Sequence, residues 1–174
     1  MKEATHSCGT RAHIWLFVLV TLPFFGLDQA SKLAVVRNIG FDDERVIVPG
    51  FFALVQWHNT GAAFSILSNS NPLFIAISVV ALVALGVLAA RGAFAERVSR
   101  IAWALLLAGI LGNLTDRLLY GYVVDFLLFD LHVPFAHPWP AFNIADACIC
   151  SATGLFMLQS FREPKTETAT KAAE

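Results

Sequence analysis

Two aspartates stand where a carboxylate is costly. Asp125 lies in Val123-Val124-Asp125-Phe126 and Asp146 in Ile144-Ala145-Asp146-Ala147, each bracketed by apolar residues with no basic residue close in sequence. Two acids held close in a poorly solvated site cannot both ionise easily, so they share a proton. The ionised one can take a proton from a water that attacks a peptide carbonyl. The protonated one can donate to the developing oxyanion and then to the leaving amine. The pair is twenty-one positions apart (146 minus 125), so separate segments must bring it together.

Other polar residues fall at helical spacings. Gly109, Gly112, Asn113 and Asp116 stand at i, i+3, i+4 and i+7, one stripe with Arg117 beside it. Asn143 and Asp146 are three apart, Asp28 and Lys32 four apart, so each pair shares a face. Glycines on the stripe let neighbouring helices approach closely. Asp28 with Lys32, and Asp116 with Arg117, read equally as structural ion pairs or as substrate contacts. His58, His132 and His137 read as interfacial or loop histidines. Phe51, Phe52, Trp57 and Trp139 read as an interfacial aromatic belt.

The elements that must position these residues are membrane helices. Of 174 residues, 57% are hydrophobic and 14% charged, whereas soluble domains average about 45–50% apolar and about 25% charged. Apolar segments cover about 13–36, 72–90, 101–119 and 141–161, each near the roughly 20 residues that cross about 30 Å of hydrocarbon. The first resembles a cleaved leader in position, but it lacks a small-residue cleavage site and further spans follow, so a permanent helix is expected.

Loop charges set the expected orientation. Lys2 and Arg11 precede the first span, Arg91, Arg97 and Arg100 separate the second and third, and Arg162, Lys165 and Lys171 follow the fourth. The loop 121–140 has no Lys or Arg. The positive-inside rule then places both termini in the cytoplasm and loops 38–71 and 121–140 outside. The segment from Val46 to Trp57, with Pro49-Gly50 as a turn, reads as short strands on the membrane surface. The expected fold is therefore an all-α membrane protein of four transmembrane helices with a small outward-facing β-rich platform. One domain is expected over 1–174, with a polar tail after Arg162 whose composition predicts disorder.

With this topology Asp28, Lys32, Asn113, Asp116, Arg117, Asp125, Asn143 and Asp146 all fall at the outer face. Ionisable groups inside a span cost at least about 2.5–3.5 kcal/mol near its centre and mark functional sites by default. A net charge of −1 with no basic face gives no reason to expect nucleic acid. Cys8, Cys148 and Cys150 form no disulfide framework and read as packing or tail residues. A proton-coupled transporter would need a charged path through the inner halves of the helices, which the sequence lacks. A metallopeptidase built on His58 with Asp125 and Asp146 would lack a spaced ligand pair. No metal or cofactor is expected.

Five segments, in order, carry a resemblance. They are Asp28-Gln29-Ala30-Ser31-Lys32, His58-Asn59-Thr60-Gly61-Ala62-Ala63-Phe64-Ser65, the run Gly109 to Arg117, Val123-Val124-Asp125-Phe126, and Trp139 to Asp146. Together they resemble the motif blocks of the lipoprotein signal peptidase (signal peptidase II) family over most of the chain. Where that family often has a second glycine before Gly109, this chain has Ala108. The resemblance implies a catalytic dyad of Asp125 and Asp146. It implies that Asn59, Gly109, Asn113, Arg117 and Asn143 hold the substrate backbone or position the dyad, with Asp28, Lys32 and Asp116 in support. The implied substrate is a bacterial prolipoprotein whose cysteine carries a diacylglyceryl group, cut just before that cysteine. The expected setting is the bacterial inner membrane, with lipid and the lipid-modified prolipoprotein as partners and the enzyme a monomer.

Overall fold

The computed structural model describes residues 13–61, 70–133 and 138–162. Four helices in it are long and apolar enough to cross a membrane: α1 (His13–Asn38), α2 (Asn71–Ala90), α3 (Arg97–Leu119) and α4 (Ile144–Arg162). α3 starts four residues before the apolar run does, taking in Arg97 and Arg100 as a polar first turn. α4 starts three residues after its run, because Asn143 caps it.

Of the most apolar stretch of α3, 56% is buried, against 11%, 6% and 17% for α1, α2 and α4. α3 is therefore the central helix, and it packs against the other three. Its buried positions include Ala102, Ala104, Ala108, Gly109 and Gly112, small residues that admit neighbouring backbones. Leu22 and Leu27 on α1, Ile77, Val80 and Val83 on α2, and Leu158 and Phe161 on α4 point outward. Such a continuous exposed apolar surface suits lipid and not water. α1 contains a π-turn at Phe17–Thr21, and the Thr21 hydroxyl donates to the Ala104 carbonyl of α3 at 2.8 Å. One end of the bundle is closed by a cluster of Leu85, Phe94, Trp103, Ala104 and Leu107.

At the other end lies a three-stranded antiparallel sheet in the order β1 (Glu44–Val48), β2 (Phe52–Asn59), β3 (Val123–Phe129). The turn between β1 and β2 contains Gly50 at a φ of 70°, a left-handed conformation that glycine adopts freely. β3 lies in the segment 121–140, for which the sequence predicts a loop. Its run Val-Val-Asp-Phe-Leu-Leu-Phe, following Gly121 (φ 81°), is buried at most positions, so it lacks the alternation of a one-sided strand. Phe126 joins Val35 and Ile39 of α1 in a cluster that seats the sheet on the bundle. Phe142 exchanges backbone hydrogen bonds with Leu127 (2.8 and 3.1 Å), which pins the start of α4 to β3.

Candidate active site

The pinning of Phe142 to Leu127 brings Asn143 beside the middle of β3. Asn143 is the cap of α4, its side-chain oxygen accepting the Asp146 N–H at 2.9 Å. Asp146 reciprocates, its Oδ2 accepting the Asn143 N–H at 3.2 Å. This is a capping box with a carboxylate at the third helical position. The cap leaves the Asn143 amide nitrogen free to turn toward β3, where it donates to Asp125 Oδ1 at 2.8 Å. One asparagine thus touches both acids.

Two further amides complete the frame. Asn59, at the end of β2 and diagonal to Asp125 across the strand pair, donates to Asp125 Oδ2 at 2.8 Å. Asn113 of α3 donates to Asp146 Oδ1 at 2.7 Å. Each of the four carboxylate oxygens therefore receives a hydrogen bond. Asp125 is buried, and burial together with the nearby Asp146 carboxylate pushes its pKa up to about 7. The Asn59 and Asn143 donors and the Lys32 charge oppose that rise.

Behind the two acids sits a fully buried ion triad. Lys32 lies 2.9 Å from Asp28 Oδ2 and 2.9 Å from Asp116 Oδ2, with side chains no more than 4% exposed. Its third N–H reaches Asn113 Oδ1 at 3.2 Å, so all three ammonium donors are matched. Asp28 Oδ1 accepts the Ala145 N–H at 2.9 Å, supplying an acceptor to an otherwise orphan amide in the first turn of α4. Asp116 Oδ2 accepts the Val124 N–H at 3.1 Å. Removing one partner of such a set costs about 3–5 kcal/mol, because it strands a buried charge.

This geometry corrects one pairing. Among the described residues the ion pair of Asp116 is with Lys32 and not with the adjacent Arg117. Successive residues on a helix do not face each other, and i+1 turns Arg117 away. The Arg117 guanidinium donates to the Gly61 carbonyl at 3.2 Å and lies 4.9 Å over the Phe74 ring. The Asp28–Lys32 pair forms as expected at i, i+4. Gly109 lies at the α3–α4 seam, where a Cβ would collide with the Ala145 carbonyl oxygen and come within 2.6 Å of Ile149. Gly112 is similarly close to Asp28 and Ala145.

Register separates His58 from the acids. It pairs with Val124, whereas Trp57 pairs with Asp125, so alternation puts His58 on the opposite face of the sheet. There it stacks on Tyr122 at 3.7 Å, and burial lowers its pKa, with Asp42 opposing. His132 is exposed and lies 3.5 Å from Asp130. Cys148 and Cys150 are free thiols. Lys2, Cys8, Arg11, residues 62–65 of the second motif, His137, Lys165 and Lys171 lie outside the described residues.

Two participants carry no role expected from sequence, although Gln29 stands in the first motif segment. Thr21 ties α1 to α3. Gln29 reaches Asp28 at 3.1 Å, the Gly112 carbonyl at 3.2 Å and Asp116 at 3.0 Å, bridging the triad from its side. A glutamine inside an otherwise apolar span is itself a signal, overshadowed here by the charged Asp28 next to it.

A family model described as signal peptidase (SPase) II matches residues 20–162. A lipoprotein signal peptidase of Aeromonas hydrophila is 41% identical over 174 residues, covering 98% of this chain and 99% of its own. That of Geobacter metallireducens is 36% identical over 156 residues, covering 88% and 94%. Two solved bacterial membrane enzyme structures share the fold. One has a TM-score of 0.79 at 27% identity, covering 90% of this chain and 94% of that one. The other has a TM-score of 0.75 at 29% identity, covering 85% and 94%. With its helices, sheet and buried acids assembled as described, this chain belongs to the signal peptidase II family, a family of membrane proteases.

Proposed function

We propose that the chain is a single-domain aspartic endopeptidase that removes the signal peptide from diacylglyceryl-modified bacterial prolipoproteins, cutting before the lipidated cysteine. The observation that carries this reading is the pair Asp125 and Asp146. They lie on different elements, are joined through the Asn143 amide and cap, and are held in surroundings that raise the Asp125 pKa to about 7. A pair sharing one proton supplies both a base and an acid near neutral pH. The ionised carboxylate takes a proton from water as its oxygen bonds to the scissile carbonyl carbon. The protonated carboxyl donates to the carbonyl oxygen, and the tetrahedral species then breaks its C–N bond as the amine is protonated. Asn59, Asn113 and Asn143 hold the acids in register, and Arg117, beside Gly61, meets the substrate backbone. No cofactor takes part.

The loop charges support an orientation with both termini in the cytoplasm and the dyad at the outer face of the inner membrane. A cleavage site next to a lipid anchor lies at that depth. The position of His58 on the far face of the sheet speaks against a metal site shared with the acids. Incubating the purified protein in lipid with a diacylglyceryl-modified peptide and with its unlipidated twin tests the substrate class. The lipidated peptide is cut far faster, because its anchor orients the scissile bond. Equal rates would point to a general protease.

A further inference from the structure

The ion triad is more than a filled polar pocket, because of which backbone groups it holds. Asp28 grips the N–H of Ala145, the residue before Asp146. Asp116 grips the N–H of Val124, the residue before Asp125. Asp28 Oδ2, its other oxygen, and Asp116 Oδ2, the same oxygen that holds Val124, both meet Lys32 Nζ at 2.9 Å. Two chain segments joined at the front of the site by Asn143 and by the backbone bonds of Phe142 to Phe126 and Leu127 are thus tied a second time from behind.

Lys32 also fixes the sense of the amide network. An ammonium only donates, so Asn113 must turn its oxygen toward Lys32 and its nitrogen toward Asp146. The same Asn113 oxygen accepts from the Asn143 amide at 3.2 Å, which keeps the Asn143 nitrogen on the side of Asp125. Gln29 braces both carboxylates from α1 and the Gly112 carbonyl from α3.

We infer that Asp28, Lys32 and Asp116 form a positioning clamp that sets the distance and orientation between Asp125 and Asp146, with Lys32 as its tie and Gln29 as its brace. The inference rests on the proposed dyad. These are positioning residues, acting through the backbone and through Asn113. A misplacement of about 1 Å by a change away from the chemistry can cost about 10²-fold in rate. A clamp of this kind therefore acts on kcat and leaves substrate affinity nearly unchanged.

The test uses the full chain in lipid with a diacylglyceryl-modified peptide, with rates expressed per folded molecule. Lys32→Met, Asp28→Asn and Asp116→Asn are each expected to lower kcat by about 10²-fold with KM within about threefold. Combining any two is expected to add little, since members of one device fail together. A kcat within about threefold of the parent, a loss confined to KM, or losses that multiply would each overturn the clamp. If Lys32→Met does not fold, the two asparagine variants, which keep size and hydrogen-bonding capacity, decide it. Asp125→Asn and Asp146→Asn are measured alongside. Activity in those would sink the dyad itself, whereas inactive dyad variants with an active Asp116→Asn sink only the clamp.

Discussion

Asn143 and Asp146 cap one another at the start of α4, side chain to backbone in both directions, at 2.9 and 3.2 Å. A helix N-terminus and a reactive carboxylate are therefore built by one structural motif, and stability and activity can be separated at Asn143. Asn143→Ala removes the cap and the donor to Asp125, and is expected to cost about 0.5–2 kcal/mol from the cap alone as well as most turnover. Asn143→Ser retains a capping oxygen but no amide donor. Thermal unfolding in lipid should show Ser recovering most of the lost stability, while the peptide assay shows turnover still low. Recovery of turnover by Ser would mean that the Asn143–Asp125 bond is dispensable.

Gly109 of α3 and Gly154 of α4 differ in the room around them. A methyl group at Gly109 would overlap the Ala145 carbonyl and Ile149, whereas one at Gly154 meets no atom within 4 Å. Gly109→Ala is expected to destabilise by about 1–3 kcal/mol through overpacking and to disturb Asp146 one turn away. Gly154→Ala is expected to be tolerated. Melting temperatures of the two variants in the same lipid check this, and equal values would contradict the close approach of the helices.

The raised pKa of Asp125 gives a pH dependence with a definite sign. Folding favours the protonated carboxyl, so its contribution to stability is greatest below the ordinary carboxylate range and is lost as pH rises through about 7. Activity should fall over that same rise as the pair loses its shared proton, a limb that belongs to the pair as a unit. Asn59 donates to Asp125 and favours its ionised form. Asn59→Ala is therefore expected to move the alkaline limb of the pH–rate profile to higher pH. A limb that stays in place or moves downward would show that Asn59 does not act on the dyad.

Membrane orientation can be read independently of catalysis. Reporter fusions near Arg97 and after Lys165 are expected to report the cytoplasm, and a fusion near Asp43 the outside. An external reading at Arg97 would overturn the four-span orientation and place the acids on the wrong side of the membrane.

The parts of the site legible in the sequence were those encoded at helical spacing. Asp28 and Lys32 are one turn apart and do pair, and Asn143 and Asp146 are three apart and do cap. Lys32 and Asp116 are 84 positions apart, and nothing local distinguishes that partner from the adjacent Arg117. Helix geometry, which turns i+1 away, was the available clue. Strand β3 was hidden because burial on both faces removes any polar alternation, and no Pro-Gly turn marks it as Pro49-Gly50 marks β1 and β2. The grip of Asp28 on Ala145 and of Asp116 on Val124 had no sequence signal at all, because any residue but proline offers the same N–H.

The most direct measurement is turnover of a diacylglyceryl-modified peptide by Asp125→Asn and Asp146→Asn, in lipid at matched levels of folded protein. Each change preserves size and hydrogen-bonding capacity but removes the proton exchange. Both variants are expected to fold, to bind substrate nearly as the parent does, and to lose cleavage entirely. The double variant is expected to be no worse than either single, as for residues that act as a unit. Cleavage near the parental rate by either variant would remove that aspartate from the reaction and contradict the two-carboxylate mechanism.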